Sequence, residues 1–139
     1  MKLSVKAAFA REMACARSAE ASGDIALAKR HLERAHILGQ RWYAPHMKTH
    51  FHMLRLALKQ SDAKEARGQL VRLIGAAPFH IAGWVPVGNT GGADVSPTLP
   101  MPIPSDFQPY FEGYSLRKGL IMRGILCAAL IAAYLLFLK

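Results

Sequence analysis

The sequence predicts an all-α fold in three parts: four amphipathic helices over residues 1–75, an extended Pro/Gly-rich strap over 76–116, and one transmembrane helix over 117–139. Three observations carry this. Apolar residues recur at three- and four-residue steps through the first part, with Gly, Asp and Pro at the breaks. Seven prolines and five glycines between 76 and 116 leave little room for regular structure. Residues 119–138 hold a single charge, Arg123, and a helix of that length would span about 30 Å, the thickness of a bilayer core.

The first helix, over 2–21, places Val5, Phe9, Met13 and Ala16 on one face, and Gly23 stops it. Asp24 caps the second, which runs to Leu38 with Ile25, Ala28, Leu32 and Ala35 inward and Lys29, Arg30 and Arg34 outward. Pro45 suits the first turn of a third helix ending near Lys59, with Met47, Phe51, Leu54 and Leu58 inward. Ser61 and Asp62 open the fourth, with Ala63, Ala66, Leu70 and Leu73 inward, ending near Gly75 and Pro78. The strings GDIALAKRHL at 23–32 and SDAKEARGQL at 61–70 align Asp24 with Asp62, Ala28 with Ala66 and Leu32 with Leu70. This spacing resembles the second helix of a tetratricopeptide-like (TPR-like) hairpin, whose repetition implies two stacked helix pairs; a plain four-helix bundle is the alternative.

The strap is too apolar for a solvated tether, since it carries Trp84, Leu99, Met101, Ile103, Phe107 and several more. Trp84, Pro100, Met101, Pro102, Ile103, Pro104 and Phe107 are therefore expected to bind a partner as a pre-extended segment. Tyr110, Phe111 and Tyr114, followed by Arg117, Lys118 and Arg123, have the composition of a membrane interface. Arg117, Lys118 and Arg123 precede the apolar run and only Lys139 follows it, so the positive-inside rule puts the N-terminal part in the cytoplasm of a bacterial inner membrane, anchored by its tail. A buried core helix is the rival reading of that run.

Charge is uneven. Residues 1–72 hold fourteen Lys or Arg against six acids, a net +8, while 73–116 hold three acids and no base, within an overall +9. The basic part suits an anionic lipid surface. Nucleic acid is not expected, since interleaved aromatics and any known binding motif are missing. Cys15 and Cys127 fall in different parts of the chain and make poor disulfide partners, which fits a reducing compartment.

Five of the six histidines lie between 31 and 52. Glu33 and His36 are three apart on the second helix, and His46 and His50 four apart on the third, so each pair shares a face. If the two helices pack antiparallel, these four converge, and one carboxylate with three imidazoles suits a single Zn²⁺, Fe²⁺ or Cu²⁺ ion. A purely structural role for the cluster is the competing reading, and His31 and His52 point elsewhere. No nucleophile is paired with a base in a known spacing, and the GNTGG run at 88–92 lacks the Lys of a phosphate loop, so no catalytic residues are assigned and an enzyme is not expected.

The strings LERAHILGQ at 32–40, His46 to His50, GWVPVGNTGG at 83–92 and PMPIP at 100–104 resemble the hallmark segments of a bacterial family known as domain of unknown function 3703, over about residues 5–106. The resemblance implies no activity. It implies that histidine cluster and strap form one module, and, since the family consists mainly of short soluble proteins, that the anchor is an addition. The expected function is a non-catalytic, tail-anchored accessory or assembly subunit of a respiratory or photosynthetic membrane protein complex, with no cofactor. The alternative is a membrane-tethered metal-binding protein, a metal chaperone or small metalloenzyme, holding one transition-metal ion.

Overall fold

The structure, a computed structural model, describes residues 3–137, apart from some side chains of the first and last helices. Its elements are α1 (Leu3–Ala21), α2 (Ile25–Gly39), α3 (Tyr43–Lys59), α4 (Ala63–Ala82), a 3₁₀ turn (Ser105–Phe107) running into α5 (Gln108–Phe111), and α6 (Leu116–Phe137), with no strand among the described residues. Local chemistry sets the boundaries of the first four. Asp24 accepts from Leu27 N at 3.0 Å and Asp62 from Glu65 N at 2.9 Å, two aspartate caps that satisfy orphan donors of α2 and α4. Pro45 is the third residue of α3, where its missing N–H had no helical partner to lose. Pro78 does not end α4. It deletes only the bond to the Ile74 carbonyl, and the helix continues to Ala82, where left-handed Gly83 closes it with Trp84 N donating to Phe79 O at 2.9 Å.

Three-residue turns join the first four helices, so neighbours run antiparallel. Within them α1 packs on α2, α2 on α3 and α3 on α4. This is an open stack of two hairpins rather than a closed ring of four helices. The first hairpin has an apolar interior of Val5, Phe9, Met13, Ala28, Leu32 and Ala35, all buried as the spacing required. The second is turned relative to its apolar pattern. Phe51, Leu58 and Leu70 are exposed, and α3 and α4 instead bury Thr49, His50, Met53, Glu65, Gln69 and Ala76.

The strap folds back on the stack. Met101 N donates to Val87 O at 2.9 Å, and Phe107 is wholly buried in the same core as Leu38 and Phe9. Arg34 holds it there: its guanidinium lies 4.2 Å from the Phe107 ring centre and pairs with Glu12 at 3.1 Å and Asp106 at 2.5 Å. Burying such a ring is worth roughly 2–3 kcal/mol, which is why this Pro-rich segment is ordered against the helices.

The transmembrane helix expected over 117–139 is corrected by the structure: among the described residues, no helix is long and apolar enough to cross a membrane. The reason lies in the first turns of α6. Arg123, expected to reach lipid headgroups, donates to His80 O at 2.6 Å and Ile81 O at 2.7 Å, placing its positive charge against carbonyls at the end of α4. That contact ties the start of α6 to the helical stack. The stretch that follows Arg123, 124–137, is about 21 Å long at the helical rise, short of the ~30 Å of a bilayer core.

Candidate metal centre

His36 on α2 and His46 and His50 on α3 meet at the joint between the two hairpins, each contributing a ring nitrogen to one cluster within 4.8 Å. The converging atoms are the three Nε2 nitrogens. His50 Nε2 lies 3.2 Å from His36 Nε2 and 2.9 Å from His46 Nε2. Separations of about 3 Å are those of neighbouring ligand atoms around one ion whose metal–nitrogen bonds are about 2.0–2.1 Å.

The atoms behind the cluster decide where the ring protons sit. His36 Nδ1 is 2.8 Å from the Asn89 carbonyl oxygen, which can only accept, so His36 carries its proton on Nδ1. The Gln69 amide donates to Glu65 Oε1 at 2.7 Å and to Gly91 O at 2.8 Å, which leaves its Oε1 to accept from His50 Nδ1 at 2.6 Å. Both Nε2 atoms are therefore bare lone pairs, and they face one another across 3.2 Å. A proton on His46 Nε2 can bridge to His50, yet it leaves the contact between His36 and His50 without a hydrogen. A cation in the centre satisfies all three.

Electrostatics agree. Burial, reinforced by the neighbouring imidazoles, pushes His36 well below the usual histidine range and His46 down to about 3. Burial brings His50 to about 4, with the hydrogen bond that its Nδ1 donates to Gln69 opposing the shift. All three are neutral near pH 7, the form that ligates. Glu65 supplies negative charge one residue further out. Its carboxylate accepts from Lys29 Nζ at 3.2 Å and from Ala93 N at 3.2 Å.

The GNTGG run is the roof of this site. Gly88 and Gly91 have φ of +76° and +78°, and a Cβ on Gly91 would stand 2.7 Å from the His36 ring, so the backbone passes flat over the imidazole. Asn89 folds the run by accepting from Gly91 N at 2.9 Å and donating to Ser96 O and Leu99 O at 2.8 and 2.7 Å. Gln40, oriented to satisfy both ends of its amide, donates to Pro86 O at 2.8 Å and accepts from Gly88 N at 3.0 Å.

Of the four residues expected to bind metal, the structure gathers His36, His46 and His50 and leaves Glu33 outside the cluster. Glu33 and His36, three apart, differ by about 60° around the helix, enough to aim the carboxylate elsewhere. Burial raises its pKa, and it feels Lys29, Asp94 and Glu65 rather than the imidazoles. His80, which the spacing argument passed over, stacks on His46 with ring centres 5.2 Å apart, and neither of its nitrogens has a hydrogen-bond partner among the described residues.

Among the strap positions expected to meet a partner, Phe107 is in the protein's own core, Ile103 packs against that core, and Met101 and Pro104 are half-buried. Trp84, Pro100 and Pro102 are exposed. Among the expected membrane-interface residues, Phe111 is buried, Tyr110 and Tyr114 pack on the core, and Arg117 is exposed. Arg41 lies 3.9 Å from the Tyr114 ring centre, a cation–π contact within the protein. The side chain of Lys118 lies outside those described.

The family model described as "Protein of unknown function (DUF3703)" matches residues 3–111, and the chain belongs to that family. The matched span takes in the helical stack, all three converging histidines and the strap as far as α5. No curated protein and no solved structure matches the chain.

Proposed function

We propose that this member of the DUF3703 family is a metal-binding protein that holds one transition-metal ion on the Nε2 atoms of His36, His46 and His50. One observation carries the reading: two of these imidazoles have their protons committed to Asn89 and Gln69 on the far side, so their lone pairs oppose each other at 3.2 Å. Uncharged, such a contact is repulsive. Backing of ligand histidines by a carbonyl or a carboxylate-linked group is the pattern that fixes tautomers in metal sites. Three neutral imidazoles suit Zn²⁺, Cu²⁺ or Fe²⁺, and a fourth position stays free for water or another ligand.

The test is metal stoichiometry. Wild-type protein prepared without chelators, or stripped and refilled with Zn²⁺, should bind one equivalent by elemental analysis after gel filtration. His36→Ala and His46→Ala should each lose that equivalent while keeping helical circular dichroism. Wild-type protein that takes up none of Zn²⁺, Cu²⁺ or Fe²⁺ would remove the proposal.

A further inference from the structure

Beside the three imidazoles lies a cavity of about 130 Å³, bounded by all three histidines. Its walls are otherwise mostly apolar: Val71, Ala76 and Phe79 from α4, and Trp84, Val85 and Pro86 from the segment that follows. Among the described residues, Arg72 is the one charged side chain on the wall.

The guanidinium of Arg72 has an unusual set of partners. One terminal nitrogen donates to Gly68 O at 3.2 Å and the other to Gly92 O and Val95 O at 2.8 and 2.6 Å, so it is held by backbone carbonyls alone. Its Nε–H is buried and finds no acceptor among the described residues. Burial works against its charge and lowers its pKa, which Glu65 and Asp94 only partly offset, and no ion pair to Arg72 forms among the described residues. A rigid, half-buried cation thus stands on the wall of the same cavity as a cluster that leaves an ion at least one free position. With a divalent ion in place, the wall would carry three positive charges in a mostly apolar chamber.

We infer that the loaded centre takes a small monocarboxylate with a short apolar body, one oxygen on the open face of the metal, the other accepting from Arg72, and the hydrocarbon against Phe79 and Trp84. This deepens the metal reading and rests on it. The carboxylate class follows from the geometry of the chamber: two cationic points call for an anion with two oxygens, and the apolar walls favour a tail that needs no hydrogen bonds. A volume near 130 Å³ limits that tail to a few carbons.

The full-length protein loaded with Co²⁺ provides the readout, because the visible bands of cobalt report each change of ligand. Propionate should shift those bands saturably, and propionamide, its neutral analogue, should not. Arg72→Gln should keep one equivalent of Co²⁺ and weaken propionate at least tenfold, and Arg72→Lys should recover part of the loss. Since Arg72 also steadies the Gly92 and Val95 carbonyls, Ala76→Leu gives an independent check, filling the chamber while leaving every histidine and the arginine in the sequence. It should retain cobalt and lose propionate by tenfold or more. Cobalt bands in the wild type that ignore propionate would overturn this inference and leave the metal site standing. Propionate binding undiminished in both Arg72→Gln and Ala76→Leu would also overturn it, since the anion would then reach the ion from elsewhere. Absence of stoichiometric cobalt would remove both readings.

Discussion

Gln69 is the residue that turns a helix joint into a ligand set. Both its amide protons are taken by acceptors that cannot reverse, Glu65 Oε1 and Gly91 O, so its own oxygen must face His50 and accept. His50 then has no choice of tautomer, and its lone pair points into the cluster. Gln69→Leu keeps the volume and removes this constraint. Zn²⁺ affinity should fall about 10- to 100-fold, the usual effect of removing a group that orients a metal ligand. Folding stability should drop by roughly 1–3 kcal/mol, because buried Glu65 and the Gly91 carbonyl each lose a donor. Competition against a chromophoric chelator measures the first and urea unfolding the second. Unchanged affinity alongside reduced stability would mean that Gln69 is a packing residue only.

At the scale of the element, the glycine loop and α4 do the positioning. Gly91→Ala would put a methyl group into the His36 ring and force a left-handed backbone on an alanine, at a cost of about 2 kcal/mol or more. Gly113 has nearly the same φ, +71°, with nothing within 4 Å of its missing Cβ. Gly113→Ala should therefore show the backbone strain alone, about 1 kcal/mol, and urea melts of the two variants separate strain from collision. How far such features are legible in a sequence depends on what fills each interior. The first hairpin was readable because Val5, Phe9 and Met13 face Ala28, Leu32 and Ala35, so apolar periodicity and buried face coincide. The second was not. Its interior is a polar network of His50, Gln69 and Glu65, so the apolar stripe of Phe51, Leu58, Leu70 and Ile74 lies outside and points the wrong way for inference. The histidines showed through spacing, while Gln69, Asn89 and Arg72, brought in from α4 and the strap, carry no motif. The step from Glu65 to Gln69 to Arg72 to Ala76, four, three and four, is one helical face, and it was the available signal. The apolar run in α6 suggested a membrane span because its composition says nothing of Arg123 being held by the end of α4.

For the molecule as a whole, burying histidines makes metal-free stability depend on pH in a calculable direction. His46 and His50 titrate near about 3 and about 4 in the fold and His36 is also pushed down, against an ordinary value of 6.5 in an unfolded chain. Between those limits the unfolded state binds protons that the folded state refuses, so stability is full above pH 6.5 and falls as pH drops towards 4. Each histidine contributes a slope of up to about 1.4 kcal/mol per pH unit in that window. His52 and His80, lowered by partial burial, add to it. The carboxylates held low by partners, Glu20 by Lys59 and Asp106 by Arg34, act only at lower pH, near and below their ordinary values of 4.5 and 3.8. His46→Leu removes one of these buried histidines with a single hydrogen bond, the one between its Nε2 and His50 Nε2, since among the described residues its Nδ1 has no partner. Urea unfolding of the stripped protein between pH 7.5 and 4.5 should show a slope in the variant shallower by about 1.4 kcal/mol per unit. Parallel profiles for wild type and variant would mean that His46 is protonated within the fold in this range. Adding Zn²⁺ at a hundred times its dissociation constant should raise wild-type stability by about 2.7 kcal/mol and leave His46→Leu unmoved. The metal gain should itself shrink on acidification, because protons and the ion compete for the same three lone pairs.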